Sequence, residues 1–171
     1  AMARLGPQVD ALALSANGDP ARFAAYGLPV LTDAAGADLG PLAGVLAGME
    51  AAAALGAARV ATLAVDTPFA PPDLVTRLAE AADAAGANVA VAASPDAAGR
   101  LRRHPTAALW SAACAPDLRA ALAGGERRLG LWADAEGCAV ARFEAGPPDP
   151  FFNVNAPADL DEAERLAARA P

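Results

Sequence analysis

The stretch RVATLAVDTPFAPPDL, residues 59–74, constrains the fold of this chain more than any other. Six uncharged residues, Val60 to Val65, run straight into Asp66, and a double proline follows at Pro71-Pro72. A short continuous apolar run bounded by turn formers reads as a strand covered on both faces, and such strands belong to parallel sheets sandwiched by helices. The spacing therefore predicts a central strand over residues 59–66, with a carboxylate at its carboxyl end.

The rest of the chain repeats the pattern. Strands are predicted at 9–15, 28–33, 88–94, 105–110 and 138–144. Helices are predicted at 20–26, 41–56, 71–85, 115–124, 127–135 and 157–170. Pro41 stands in a first helical turn, where its missing N–H is no loss. Gly36, Gly40, Gly44 and Gly48 recur every four residues, and small residues within a helix let its backbone approach a neighbour closely. There is no internal repeat and no linker, and 171 residues fit one domain spanning 1–171. Alternating strands and helices imply an α/β three-layer sandwich with a mainly parallel sheet.

Ligands of such sheets bind beyond the carboxyl ends of the strands. Three strand ends carry polar groups: Ser15 and Asn17, Asp33, and Asp66. Asp66 has the chemistry of a Mg²⁺ ligand, a hard oxygen donor that can bridge to phosphates. It equally suits a turn closed by its own side chain. Asp33 can accept hydrogen bonds from a ribose hydroxyl or a guanine N–H, or make an Asx turn. Asn17 precedes Gly18, itself a turn signature. In FNVNAPADL, residues 152–160, Asn153 and Asn155 share one face if the segment is extended. Asn155 is also placed to cap the following helix. His104, the single histidine, reads as a loop residue ahead of Pro105 rather than a catalyst. Arg127 and Arg128 can clamp a phosphate or simply start a helix.

Composition narrows the function classes. The net charge of −7 and a pI near 4.6 disfavour non-specific binding to nucleic acid or to anionic membranes. An anionic substrate needs a cation or helix N-termini to offset that charge. The most apolar 20-residue window, Leu39 to Ala58, contains Pro41, four glycines and Glu50, and reads as a buried helix rather than a span. Cys114 and Cys138 stand apart, with no CxxC, as reduced thiols of a cytoplasmic protein do. No leader peptide is evident. All 13 basic residues are Arg, so the Lys of a Walker loop does not occur. The absence of Lys and Ile reads as a compositional bias of the genome.

Taken together, LPVLTDAAGADLGPLAGVLAGM, VDTPFAPPDL, HPTAALW, GERR and FFNVNAPADL resemble the molybdenum cofactor guanylyltransferase family in order and spacing, along nearly the whole chain. The resemblance implies a nucleotidyltransferase α/β sandwich related to the dinucleotide-binding fold. It implies transfer of GMP from GTP to Mo-molybdopterin with Mg²⁺, and molybdoenzyme or cofactor-chaperone proteins as partners. Carried over by position, Asp66 binds Mg²⁺ and the phosphates, and Asp33 contacts the guanosine. Ser15 takes the place of the family's nucleotide-contacting Asn, with Asn17 two residues on. Asn153 and Asn155 face the pterin. The family's first strand and Gly-rich loop, of the form LAGGxSxRMGxDK, does not occur here, and AMARLGPQVDAL aligns with the end of the family's first helix. The resemblance thus implies a sheet with a gap, an unpaired edge or a slot for another chain, and little or no transfer by this chain alone. Two alternatives stand beside it: a cytidylyltransferase acting on molybdopterin or on a sugar or polyol phosphate, and a truncated non-catalytic paralogue.

Overall fold

A computed structural model describes residues 1–33 and 40–169. The architecture is α/β. The elements in chain order are α1 (Met2–Leu5), β1 (Leu14–Ser15), β2 (Val30–Leu31), α2 (Pro41–Ala54), β3 (Arg59–Thr62), α3 (Leu74–Ala85), β4 (Val89–Pro95), β5 (Leu101–Ser111), α4 (Ala115–Ala123), α5 (Leu129–Ala135), β6 (Ala139–Arg142) and α6 (Pro157–Ala167). The segment predicted as a helix at 20–26 is a 3₁₀ helix, Pro20–Tyr26, entered through an Asx cap in which Asp19 accepts from the Ala21 N–H at 2.9 Å. Gly36 and Ala170 of the predicted elements lie outside the described residues.

The strands form two sheets. One is the parallel pair β1–β2; the other has the order β3-β5-β4-β6. In the larger sheet β5 alone opposes the direction shared by β3, β4 and β6. Strand periodicity sorts its side chains into two cores. Val89, Val91, Ala108 and Trp110 face one way and meet Leu42, Val45 and Met49 of α2, Leu118 of α4 and Trp132 of α5. Ala90, Ala92, Ala107 and Leu109 face the other way, onto Leu74 and Leu78 of α3 with Phe143 and Phe151. These are the two outer layers of the predicted sandwich.

The 59–66 prediction needs correction. The strand stops at Thr62 and is an edge strand in its sheet, paired antiparallel with β5. Its other edge and one edge of β1 both line a single cavity of about 990 Å³. With no ladder partner on that side among the described residues, Leu63 to Asp66 leave the sheet and turn, the Thr67 N–H closing on the Ala64 carbonyl at 3.2 Å. The apolar character of the run fits the cavity wall as well as it fits a buried strand. Helix α2 lies against both sheets. A Cβ at Gly44 would stand 2.6 Å from Ser15 Oγ, and one at Gly48 would stand 3.4 Å from Val60 Cγ2. Ser15 of β1 and Val60 of β3 thus approach α2 at two of its glycines. Gly40 opens α2 at φ +70°, a conformation that glycine adopts without strain.

Strand β5 begins four residues earlier than the predicted 105–110, so LRRH belongs to a β4–β5 hairpin. Pro105 falls where the register slips, Val91 pairing with Ala108 but Ala92 with His104. A proline cannot donate to a ladder and is tolerated at such an irregularity. Helix α3 starts at Leu74 rather than Pro71. Its exposed N–H groups find a distant cap: Gln8 Oε1 accepts from the Val75 N–H at 2.9 Å while Gln8 Nε2 donates to the Pro71 carbonyl at 2.9 Å. Replacing Gln8 by Ala should lower unfolding stability by about 1–2 kcal/mol, measured by denaturant titration with an unchanged slope.

Candidate functional site

Asp66 sits in the turn that follows β3, half-buried. Its Oδ1 accepts from Asn153 Nδ2 at 2.7 Å and lies 3.4 Å from Thr67 Oγ1. Its main-chain carbonyl accepts from the Val154 N–H at 2.9 Å. The segment after Phe152 is thus tied to the Asp66 turn by main chain and side chain together. Among the described residues, Asp66 Oδ2 has no hydrogen-bond partner. Among the same residues there is no group of three or more His, Cys, Asp or Glu that could hold a metal ion. The carboxylate placed here among the sequence-predicted site residues is that of Asp66. That donor set suits Mg²⁺, which keeps several waters and takes one or two carboxylates plus substrate phosphates.

Asp33 follows β2 and is clasped by Asn17, which follows β1. Asn17 Nδ2 donates to Asp33 Oδ2 at 2.8 Å, and the Asp33 N–H donates to Asn17 Oδ1 at 3.2 Å. The parallel register, Leu14 with Val30 and Ser15 with Leu31, brings both residues to the same end of the small sheet. Ser15 is not part of this clasp. Its Oγ points at Gly44 of α2 and lines the cavity. Two residues on, Asn17 supplies the amide at that strand end.

Asn153 and Asn155 do not act alike. Asn153 reaches Asp66; Asn155 is exposed. Nor does Asn155 cap α6, as its position suggested. Asp159 Oδ2 accepts from the N–H groups of Asn155 and Ala156 at 2.9 and 2.8 Å, Ala156 is the flanking residue of the helix, and the Asn155 amide caps nothing. Arg127 is absorbed locally, donating to the Leu122 and Glu126 carbonyls at 2.8 and 2.7 Å. Arg128 lies against Glu126 Oε1 at 3.2 Å, and the hydrogen bonds from the Arg128 and Arg127 segment hold the Glu126 carboxyl down to about 2. Arg128 remains 73% exposed and Arg127 places its carbonyl 3.8 Å from where a Gly40 Cβ would be, so this corner adjoins the start of α2.

The loop reading of His104 is also corrected. It lies inside β5, only 8% exposed, with Nε2 2.9 Å from Ser94 Oγ. No signal in the sequence marked this, because the strand continues through a residue followed by proline. Burial lowers the His104 pKa, helped by the Arg102 charge and opposed by Asp149. Cys114 and Cys138 are free thiols, both pushed up by burial. No described helix is long and apolar enough to cross a membrane.

The family model of the MobA-like NTP transferase domain matches residues 1–136. A molybdenum cofactor guanylyltransferase of Cereibacter sphaeroides is 52% identical over 165 residues, covering 95% of this chain and 78% of the relative. This chain belongs to that family. The molybdenum cofactor guanylyltransferase of Mesorhizobium japonicum is 48% identical over 170 residues, covering 96% and 79%. Among solved structures, the molybdopterin-guanine dinucleotide biosynthesis protein A of Archaeoglobus fulgidus has a TM-score of 0.63 at 22% identity, covering 88% of this chain and 73% of that one. The 2-C-methyl-D-erythritol 4-phosphate cytidylyltransferase of Thermus thermophilus has the same TM-score at 23% identity, covering 98% and 86%. These distant likenesses establish the nucleotidyltransferase fold for this family member.

The buried imidazole makes stability depend on pH. Its folded pKa lies below the ordinary value of 6.5, so as pH falls below 6.5 the unfolded chain takes up a proton that the folded chain refuses. Stability should therefore decline from pH 6.5 down to the lowered folded pKa. Subtracting a His104→Phe variant in parallel calorimetric scans should remove that part of the slope.

Proposed function

We propose that this chain carries the site for transferring GMP from GTP to Mo-molybdopterin, forming the molybdopterin guanine dinucleotide cofactor. The observation that carries the reading is the Asn153–Asp66 hydrogen bond. It joins the two segments that the family resemblance assigns to opposite substrates, and it occupies only one oxygen of the carboxylate. Asp66 Oδ2 is left to hold Mg²⁺. A bound Mg²⁺ would neutralise phosphate charge on a protein whose net charge is −7. In the transfer, a phosphate oxygen of the acceptor bonds to the α-phosphorus of GTP, and the bond to pyrophosphate breaks. Asp33, oriented by Asn17, accepts from the guanosine. The exposed Asn155 amide and the remaining capacity of Asn153 face the pterin. Two free thiols agree with a cytoplasmic setting, from which the product passes to molybdoenzyme or chaperone partners.

A calorimetric titration with GTP and with CTP, each with Mg²⁺, tests this reading. GTP should bind about tenfold or more tightly than CTP, a difference of about 1.4 kcal/mol. Asp66→Asn should abolish the Mg²⁺ dependence of GTP binding and leave the melting temperature in place. Preference for CTP would move the assignment to a cytidylyltransferase. Failure of both nucleotides to bind would favour a fragment of a longer enzyme or a non-catalytic relative.

A further inference from the structure

The geometry points to His104 as a positioning residue for the candidate site, its stacked ring seating Phe151 so that Asn153 reaches Asp66. The His104 and Phe151 rings stack with centroids 4.2 Å apart and planes 20° from parallel. Phe151 is 4% exposed and meets Phe143 edge-on at 5.4 Å and 78°. It therefore has two ring partners, His104 stacked on it from β5 and Phe143 roughly perpendicular to it from just beyond β6. The next residue, Phe152, packs on Phe69 with ring centroids 6.2 Å apart. Asn153 follows, donating to Asp66 Oδ1. Phe69 itself is three residues beyond Asp66, so both arms of the contact are fastened by aromatic rings.

A histidine suits this place better than an aliphatic residue. A planar ring presents a face to Phe151, and such aromatic pairs contribute beyond the area they bury. The Ser94 hydroxyl, 2% exposed on β4, selects the ring's orientation through His104 Nε2. Burial keeps the imidazole neutral, so the stack carries no charge at neutral pH. His104 touches neither of the site's carboxylates. It acts through the Phe151–Asn153 segment, as residues behind a metal ligand commonly do. The effect on ligand affinity rests on Asp66 holding Mg²⁺; the effect on the Asn153–Asp66 contact does not.

The side-chain amide signals of Asn153 in ¹⁵N-labelled protein, assigned by their loss in Asn153→Ala, separate the two. Asp66→Ala supplies the spectrum of the broken contact. His104→Leu should move the Asn153 signals to that position and weaken Mg²⁺-dependent GTP binding by about tenfold. His104→Phe, which keeps a flat ring, should hold the signals near their original position. Should His104→Leu fail to fold, Phe151→Leu removes the same stack from the other side and should give the same displacement. Unmoved Asn153 signals in a folded His104→Leu or Phe151→Leu protein would overturn the inference, as would equal displacement in His104→Phe. Displaced signals in a protein whose parent binds no GTP would uphold the positioning role and count against the proposed function instead.

Discussion

Helix α2 joins two sheets that share no ladder among the described residues. The smaller sheet reaches it through Ser15 at Gly44, the larger through Val60 at Gly48. Cβ atoms four residues apart on a helix stand about 5–6 Å from each other, so these contacts fall on adjacent turns of one face. A Cβ at Gly44 would require the Ser15 hydroxyl to turn away, and one at Gly48 would stand at the tight end of van der Waals contact with Val60. The sheet that leads to Asp33 and the strand that precedes the Asp66 turn therefore lie against the same helix.

The site is assembled from two local clasps. On the smaller sheet, Asn17 and Asp33 exchange a pair of hydrogen bonds, which aims one carboxylate before any ligand arrives. Beside the larger sheet, Asp66 is gripped by the 152–154 segment through its side chain and its carbonyl. Preorganisation of this kind lowers the entropy lost when a charged substrate is seated. The grip on Asp66 is only as precise as the aromatic packing behind it, which runs through Phe151 to His104 and through Phe152 to Phe69.

Much of this was legible in the chain. Six strands were predicted and six lie among the described residues; the largest differences are at 9–15, of which Leu14–Ser15 is strand, at 59–66, which stops at Thr62, and at 105–110, which begins at Leu101. Propensity and patterning report that a segment is suited to a ladder; they do not report whether a neighbour exists on both sides. Proline misled twice. Pro105 suggested a loop within a strand that simply slips its register there, and Pro71 suggested a helix start that Gln8 delays to Leu74. Asn155 looked like a cap because the choice between Asn155 and Asp159 depends on which side chain reaches back, a matter of one residue.

The sequence by itself determined the α/β class, the carboxylates that follow β2 and β3, and the family, because these rest on periodicity and on motifs contiguous along the chain. Only the tertiary structure decided the partners of those carboxylates. Asn153 meets Asp66 from 87 residues away, and Asn17 meets Asp33 across a parallel pair while Ser15 turns to the helix. It also decided that His104 is a buried strand residue under Phe151. Such pairings follow from how layers stack, and no local pattern in the chain carries that information.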